Sequence, residues 1–186
     1  MKVIVVGGSG HGVGKTALVC GLIRALPEFG WTAIKITSHD YGLGARVWEE
    51  KSAAGGTDTS RYLAAGARRA LLITAADEEI EELVRQALSR CAVGGGEDLA
   101  EGTILESNRV LRFVDPDLCL GVEGAPGGER KASYERVAAR ADAVVRRAES
   151  DGVIEESRPV FELGDLERLS ERMRVWLRGR LGRVTD

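Results

Sequence analysis

Val3 to Val6 is an unbroken apolar run that ends at Gly7-Gly8, the pattern of a strand buried on both faces of a parallel sheet. From Lys15 to Leu26 the apolar residues at 18, 19, 22, 23 and 26 share one helical face, and Pro27 with Gly30 stops the pattern. Trp31 to Ile36 predicts a second strand, Thr59 to Ala65 a helix, and Arg68 to Thr74 a third strand. Asp77 to Cys91 sets Ile80, Leu83, Val84, Ala87 and Leu88 on one side and acids on the other, with Asp77 to Glu79 at the positive end of the helix dipole. After Gly94-Gly95-Gly96, short strands are predicted at Thr103 to Leu105, ending at Glu106, and at Leu118 to Val122. Ala143 to Val145 and Pro159 to Leu163 read as edge strands, and Leu166 to Leu181 as a closing amphipathic helix. Strand alternates with helix throughout. Gly42 to Gly56, rich in Gly and Ala, holds no sustained period; it reads as a mobile loop or inserted excursion, with Val47 and Trp48 among its bulky apolar residues and a dimer arm the other option.

Composition narrows the function classes. The 186 residues carry 26 basic and 29 acidic side chains, a net charge of −3, so there is no electrostatic case for nucleic acid or anionic lipid. A chain of this length buries roughly 70% of its unfolded surface, enough for one core, and a single domain over residues 1–186 is expected. No apolar run approaches the roughly 20 residues that span a bilayer, and the N-terminus shows no basic leader, so a cytoplasmic protein without membrane attachment is expected. Cys20, Cys91 and Cys119 are odd in number and far apart, which suits buried thiols better than disulfides or a zinc site.

The informative segment is GGSGHGVGKT, Gly7 to Thr16, with five glycines in its first eight residues, between the first strand and the first helix. This is a phosphate loop in its required context. Glycines at 10, 12 and 14 let several N–H groups turn inward around a phosphate, and the helix N-terminus adds about half a positive charge. The predicted nucleotide cradle is Gly10, His11, Gly12, Val13, Gly14, Lys15, Thr16 and Ala17, with Lys15 reaching the β- and γ-phosphates and Thr16 offering its hydroxyl to Mg²⁺. Ser9 stands where the motif has its first glycine, and His11 is either solvated or in contact with substrate or partner. With the alternating elements, this loop predicts an α/β, three-layer P-loop NTPase with a mostly parallel central sheet flanked by helices. None of the five lysines sits in the guanine-reading Asn/Thr-Lys-x-Asp pattern, which disfavours a Ras-like GTPase and leaves ATP and GTP both open.

Such a site needs carboxylates at neighbouring strand ends to hold magnesium and orient the attacking group. Asp40, after the second strand, and Glu106, closing TILE, are the candidates, so the predicted catalytic set is Lys15, Asp40 and Glu106 and the metal set Thr16, Asp40 and Glu106. The competing roles are a turn for Asp40 and a helix cap for Glu106. His39 is either solvated or a ligand or proton carrier.

The P-loop, then AIKITSHD at the second strand, then GTDTSRYLAAGA from Gly56 to Ala67, closely resemble the molybdopterin-guanine dinucleotide biosynthesis protein B (MobB) family over about the first 75 residues. That family has a lysine before a histidine-rich strand end and an aspartate opening a helix that ends in Ala-Gly-Ala, and Lys35, His39 and Asp58 match those positions as substrate or partner contacts. Its later strand ends in Glu-Gly, whereas Glu106 here precedes Ser107-Asn108. Asp58 also lies in a good N-cap sequence. The resemblance implies a dimeric accessory protein of molybdenum cofactor maturation that binds nucleotide and Mg²⁺, hydrolyses GTP weakly and assists a partner enzyme. The first of these segments also resembles the wider group containing dethiobiotin synthetase and the urease and hydrogenase metallochaperone GTPases. The alternative is an ATP-dependent small-molecule kinase or ligase, which draws on Lys35, placed to meet a substrate carboxylate or γ-phosphate, and on Gly127-Gly128-Glu129-Arg130-Lys131, which could close over phosphates. The metallochaperone reading lacks a Cys/His cluster.

Overall fold

In the computed structural model, residues 1–38, 44–92, 101–125, 128, 130–147, 158–163 and 168–182 are described. They build one eight-stranded sheet from β1 (Lys2–Gly8), β2 (Thr32–Thr37), β3 (Arg46–Glu49), β4 (Arg69–Thr74), β5 (Gly102–Glu106), β6 (Leu118–Glu123), β7 (Ala143–Arg147) and β8 (Val160–Leu163). The helices are α1 (Lys15–Ala25), α2 (Asp58–Ala64), α3 (Ile80–Ala92), α4 (Tyr134–Arg140) and α5 (Glu171–Leu181). The strand order is β3-β4-β2-β5-β1-β6-β7-β8, and every pair is parallel except β3 with β4.

Alternation along the central strands splits the core into two layers. Ile4 and Val6 face a cluster with Leu18, Leu22 and Ile23 of α1, Tyr62 of α2 and Met173 and Leu177 of α5. Val5 faces the other side, with Ile80 and Val84 of α3 and Tyr134 and Val137 of α4. A strand covered on both faces has no use for polar residues, which is why β1 reads as a solid apolar run. The expected α/β, three-layer arrangement with a mostly parallel sheet is what the chain adopts. All three cysteines are buried thiols outside any disulfide.

Two expectations need correction. Part of the segment expected to lack regular structure is β3, paired antiparallel with β4 from Arg46 opposite Thr74 to Glu49 opposite Leu71. Four residues are too few to display a period, and an edge strand needs only one neighbour. Beyond it, the Glu50 carboxylate accepts hydrogen bonds from the backbone N–H of Lys51 and Ser52 and from the Thr57 and Thr59 hydroxyls, so residues 50–59 are laced together. Helix α3 is bounded at Ile80, later than Asp77; residues 77–79 form a turn leading into it, with Ile80 N donating to Ala76 O at 3.2 Å, and the Asp77 carboxylate pairs with Arg109 at 2.6 Å and Arg112 at 3.0 Å.

Candidate functional site

Strand register builds the site before any side chain is considered. Glu106 at the end of β5 lies opposite Val6 of β1 on one side and Lys35 of β2 on the other. The chain leaves β1 toward β2 on one side of the sheet and later leaves β5 toward β6 on the other, so the loop after β1 stands at a switch in strand order, where open α/β sheets bind ligands.

Gly12 and Gly14 take positive φ, 65° and 107°, and the loop passes into α1 without a side-chain cap. The N–H groups of Gly10 to Gly14 find no acceptor among the described residues, which leaves a row of donors at a helix N-terminus. Lys15 Nζ donates to Gly10 O at 2.7 Å across the loop. Burial, with the Lys35 and Lys131 charges adding to it and Glu106 opposing, lowers the Lys15 ammonium from its ordinary value. The side chains of Val13 and Ala17 pack against the core, so these two residues have only backbone N–H groups to offer a phosphate.

Glu106 is 2% exposed and collects three donors. The Thr16 hydroxyl donates to Oε2 at 3.0 Å, the Tyr62 hydroxyl donates to the same oxygen, and Lys35 Nζ donates to Oε1. Lys35 also pairs with Asp58 at 2.8 Å. Burial by itself would lower the Lys35 ammonium, but Glu106 and Asp58 together outweigh it and hold it above its ordinary value. Asp58 shows the converse: burial would raise its carboxyl, and Lys35, Thr16 and Arg61 bring it below the ordinary value. Burial and the Glu106 charge push the Tyr62 phenol well up, so it stays a proton donor.

Lys15, Thr16, Lys35, Asp58 and Glu106 thus converge. The N-cap of α2 is Thr57, whose hydroxyl accepts from Ser60 N, which frees Asp58 in the first turn for Lys35. His11 is exposed on the loop beside Lys131. His39 and Asp40 lie outside the described residues. Tyr62 went unrecognised because an aromatic residue in a short helix reads as core, and only its spacing of four from Asp58 hinted at the same face. Ser9, the departure from the motif, is buried and accepts the Gly124 N–H on its hydroxyl at 3.0 Å.

A hydroxyl and a carboxylate oxygen in contact, Thr16 and Glu106, are hard donors that suit Mg²⁺, an ion that takes few protein ligands and keeps waters and phosphate oxygens. Among the described residues there is no group of three or more His, Cys, Asp or Glu placed to hold a metal. Beside Lys35 and Asp58 opens a cavity of about 430 Å³, walled by Thr37, Trp48, Glu49, Thr59 and Leu72. No described helix is long and apolar enough to cross a membrane.

No family model matches the chain, and no curated protein matches it. Among solved structures it is similar to the "apo" form of LpxK from Aquifex aeolicus in complex with ATP, with a TM-score of 0.56 and 19% identity over 87% of this chain and 53% of that one. The chain spans about half the length of that protein. The loop, the sheet order and this likeness together give the chain a P-loop NTPase fold.

Proposed function

We propose that this protein binds a nucleoside triphosphate, GTP or ATP, with Mg²⁺ and hydrolyses it slowly, as a MobB-like accessory protein of molybdopterin guanine dinucleotide biosynthesis. The observation that carries the nucleotide reading is the buried Glu106 carboxylate against the Thr16 hydroxyl at the start of the P-loop helix. The loop N–H groups and Lys15 bind the phosphate tail, Thr16 and Glu106 hold the metal, and Lys35 and Asp58 sit where the terminal phosphoryl group meets its acceptor. Bound Mg²⁺ supplies positive charge to the phosphate oxygens. The molybdenum cofactor role rests on the motifs Gly7 to Thr16, Ala33 to Asp40 and Gly56 to Ala67. With it come a homodimer, a partner enzyme and a cytoplasmic setting.

The cavity beside Lys35 and Asp58 favours a second reading, an ATP-dependent small-molecule kinase or dethiobiotin-synthetase-like ligase, because its volume suits a small acceptor. A thermal-shift series with ATP, GTP, their diphosphates and molybdopterin, each with Mg²⁺, tests binding, since a ligand of the folded state raises its apparent stability. No shift with any nucleotide overturns both readings. Phosphate release with nucleotide alone then separates them: slow acceptor-independent release supports the accessory protein, and negligible release until an acceptor is added supports the kinase or ligase.

A further inference from the structure

The connection that follows β6 is fastened to the phosphate loop at both ends by one residue. Gly124 N donates to Ser9 Oγ at 3.0 Å, and Lys131 N donates to Ser9 O at 2.8 Å. Gly124 also lies so close to Val13 that a Cβ there would come within 3.1 Å of it. Lys131 is thereby delivered to the rim of the loop, with Nζ 2.7 Å from His11 Nε2. An ammonium has donors only, so the imidazole nitrogen is the acceptor, and a neutral acceptor leaves the charge uncompensated. Lys131 forms no ion pair with a carboxylate among the described residues. Its neighbour Arg130 is committed, to Glu123 at 2.8 Å and to the face of Tyr134. Lys35 is likewise neutralised by Glu106 and Asp58. Lys15 and Lys131 remain as cations held on neutral acceptors, which is the complement a polyanionic phosphate tail requires.

We propose that Lys131 is a second phosphate-contacting lysine, carried to the P-loop by the β6–α4 connection, and that it binds the nucleotide's phosphate tail together with Lys15. The proposal rests on the nucleotide-binding reading above. It predicts a contribution that grows with the charge of the tail and leaves recognition of the nucleoside untouched.

The test is titration calorimetry of wild type, Lys131→Ala, Lys131→Gln and Lys131→Arg with Mg²⁺ and the non-hydrolysable triphosphate analogues AMPPNP and GppNHp, ADP and GDP, and the free nucleosides. Lys131→Ala and Lys131→Gln should weaken the triphosphate analogue that wild type binds by about tenfold, the scale of a charged hydrogen bond, with a smaller loss for the diphosphate and none for the nucleoside. Lys131→Arg should recover most of the affinity, and the neutral variants should show a shallower dependence of affinity on salt. Triphosphate affinity within twofold of wild type in either neutral variant, or equal losses for triphosphate and nucleoside, overturns the proposal. Lys15→Ala separates the failures: if it abolishes binding while Lys131→Gln binds normally, the Lys131 assignment falls alone. If wild type binds no analogue, the nucleotide reading falls and takes this proposal with it.

Discussion

The Thr16 hydroxyl and the Glu106 carboxylate meet at 3.0 Å, although 90 residues separate them along the chain. The contact joins the first turn of the P-loop helix to the end of the adjacent strand, where a carboxylate can organise metal and water. Glu106→Gln keeps the size and removes the charge. Its turnover should fall by about two orders of magnitude or more, the scale of general acid-base effects. Unchanged steady-state phosphate release would reassign Glu106 to structure.

Lys15→Ala should abolish nucleotide binding in a folded protein, because Lys15 reaches across the loop to a carbonyl and fills no core position. Calorimetry and an unfolding curve on the same sample check both halves. Wild-type affinity would sink the P-loop assignment.

Tyr62→Phe tests the support beneath Glu106. The ring fills the same core volume, but Glu106 loses one of three donors. Denaturant unfolding should show a loss of about 1 kcal/mol, typical of one intramolecular hydrogen bond. A variant as stable as wild type would mean that Tyr62 is simply core.

Gly102 opens β5 against the Trp31 ring, which is 1% exposed, stacks on Phe29 and donates Nε1 to Leu26 O at 2.7 Å. A Cβ at position 102 would overlap that ring, and Trp31 has no room to yield. Gly102→Ala should cost about 1–3 kcal/mol, as overpacking does. Chemical denaturation at neutral pH measures it; an unchanged midpoint would show that β5 shifts to accommodate the methyl.

The Lys35–Asp58 pair has a pH signature. Asp58 is held below its ordinary 3.8, so its contribution is present above that value and is lost as pH falls through the lower, folded value. Lys35 is held above 10.5, so its contribution is complete below 10.5 and is lost as pH rises through the folded value. The stability gap between wild type and Asp58→Asn should therefore stay level from about pH 5 to 10 and narrow on both sides. Urea unfolding across pH checks this, and a gap independent of pH would show that the pair contributes nothing.

Local signals carried the P-loop, β1 and α1, because an apolar run, glycines and a helical stripe each lie within one short window. Partner choice between strands is not local. Nothing near Lys35 announces that it will lie opposite Glu106, 71 residues away, so the two appeared as separate candidates when they form one cluster. β3 escaped notice because four residues at an edge carry no period, and Tyr62 because burial and hydrogen bonding look alike in an aromatic side chain. Lys131 showed in the sequence only as the end of Gly127 to Lys131, a segment that could close over phosphates, since its link to Ser9 joins the connection after β6 to the P-loop across more than a hundred residues.

The position of β5 bears on how the protein assembles. β1 and β2 are not neighbours; the slot between them is filled by a strand that emerges from synthesis about seventy residues later. Until β5 docks, neither flanking strand has its full set of backbone partners, and such long-range parallel pairing is slow to form. The same docking event brings Glu106 to Thr16 and Lys35. A nascent or partly folded chain therefore holds a glycine-rich loop with no carboxylate beside it, and the Thr16–Glu106 contact on which the proposed nucleotide site rests forms in the step that closes the middle of the sheet.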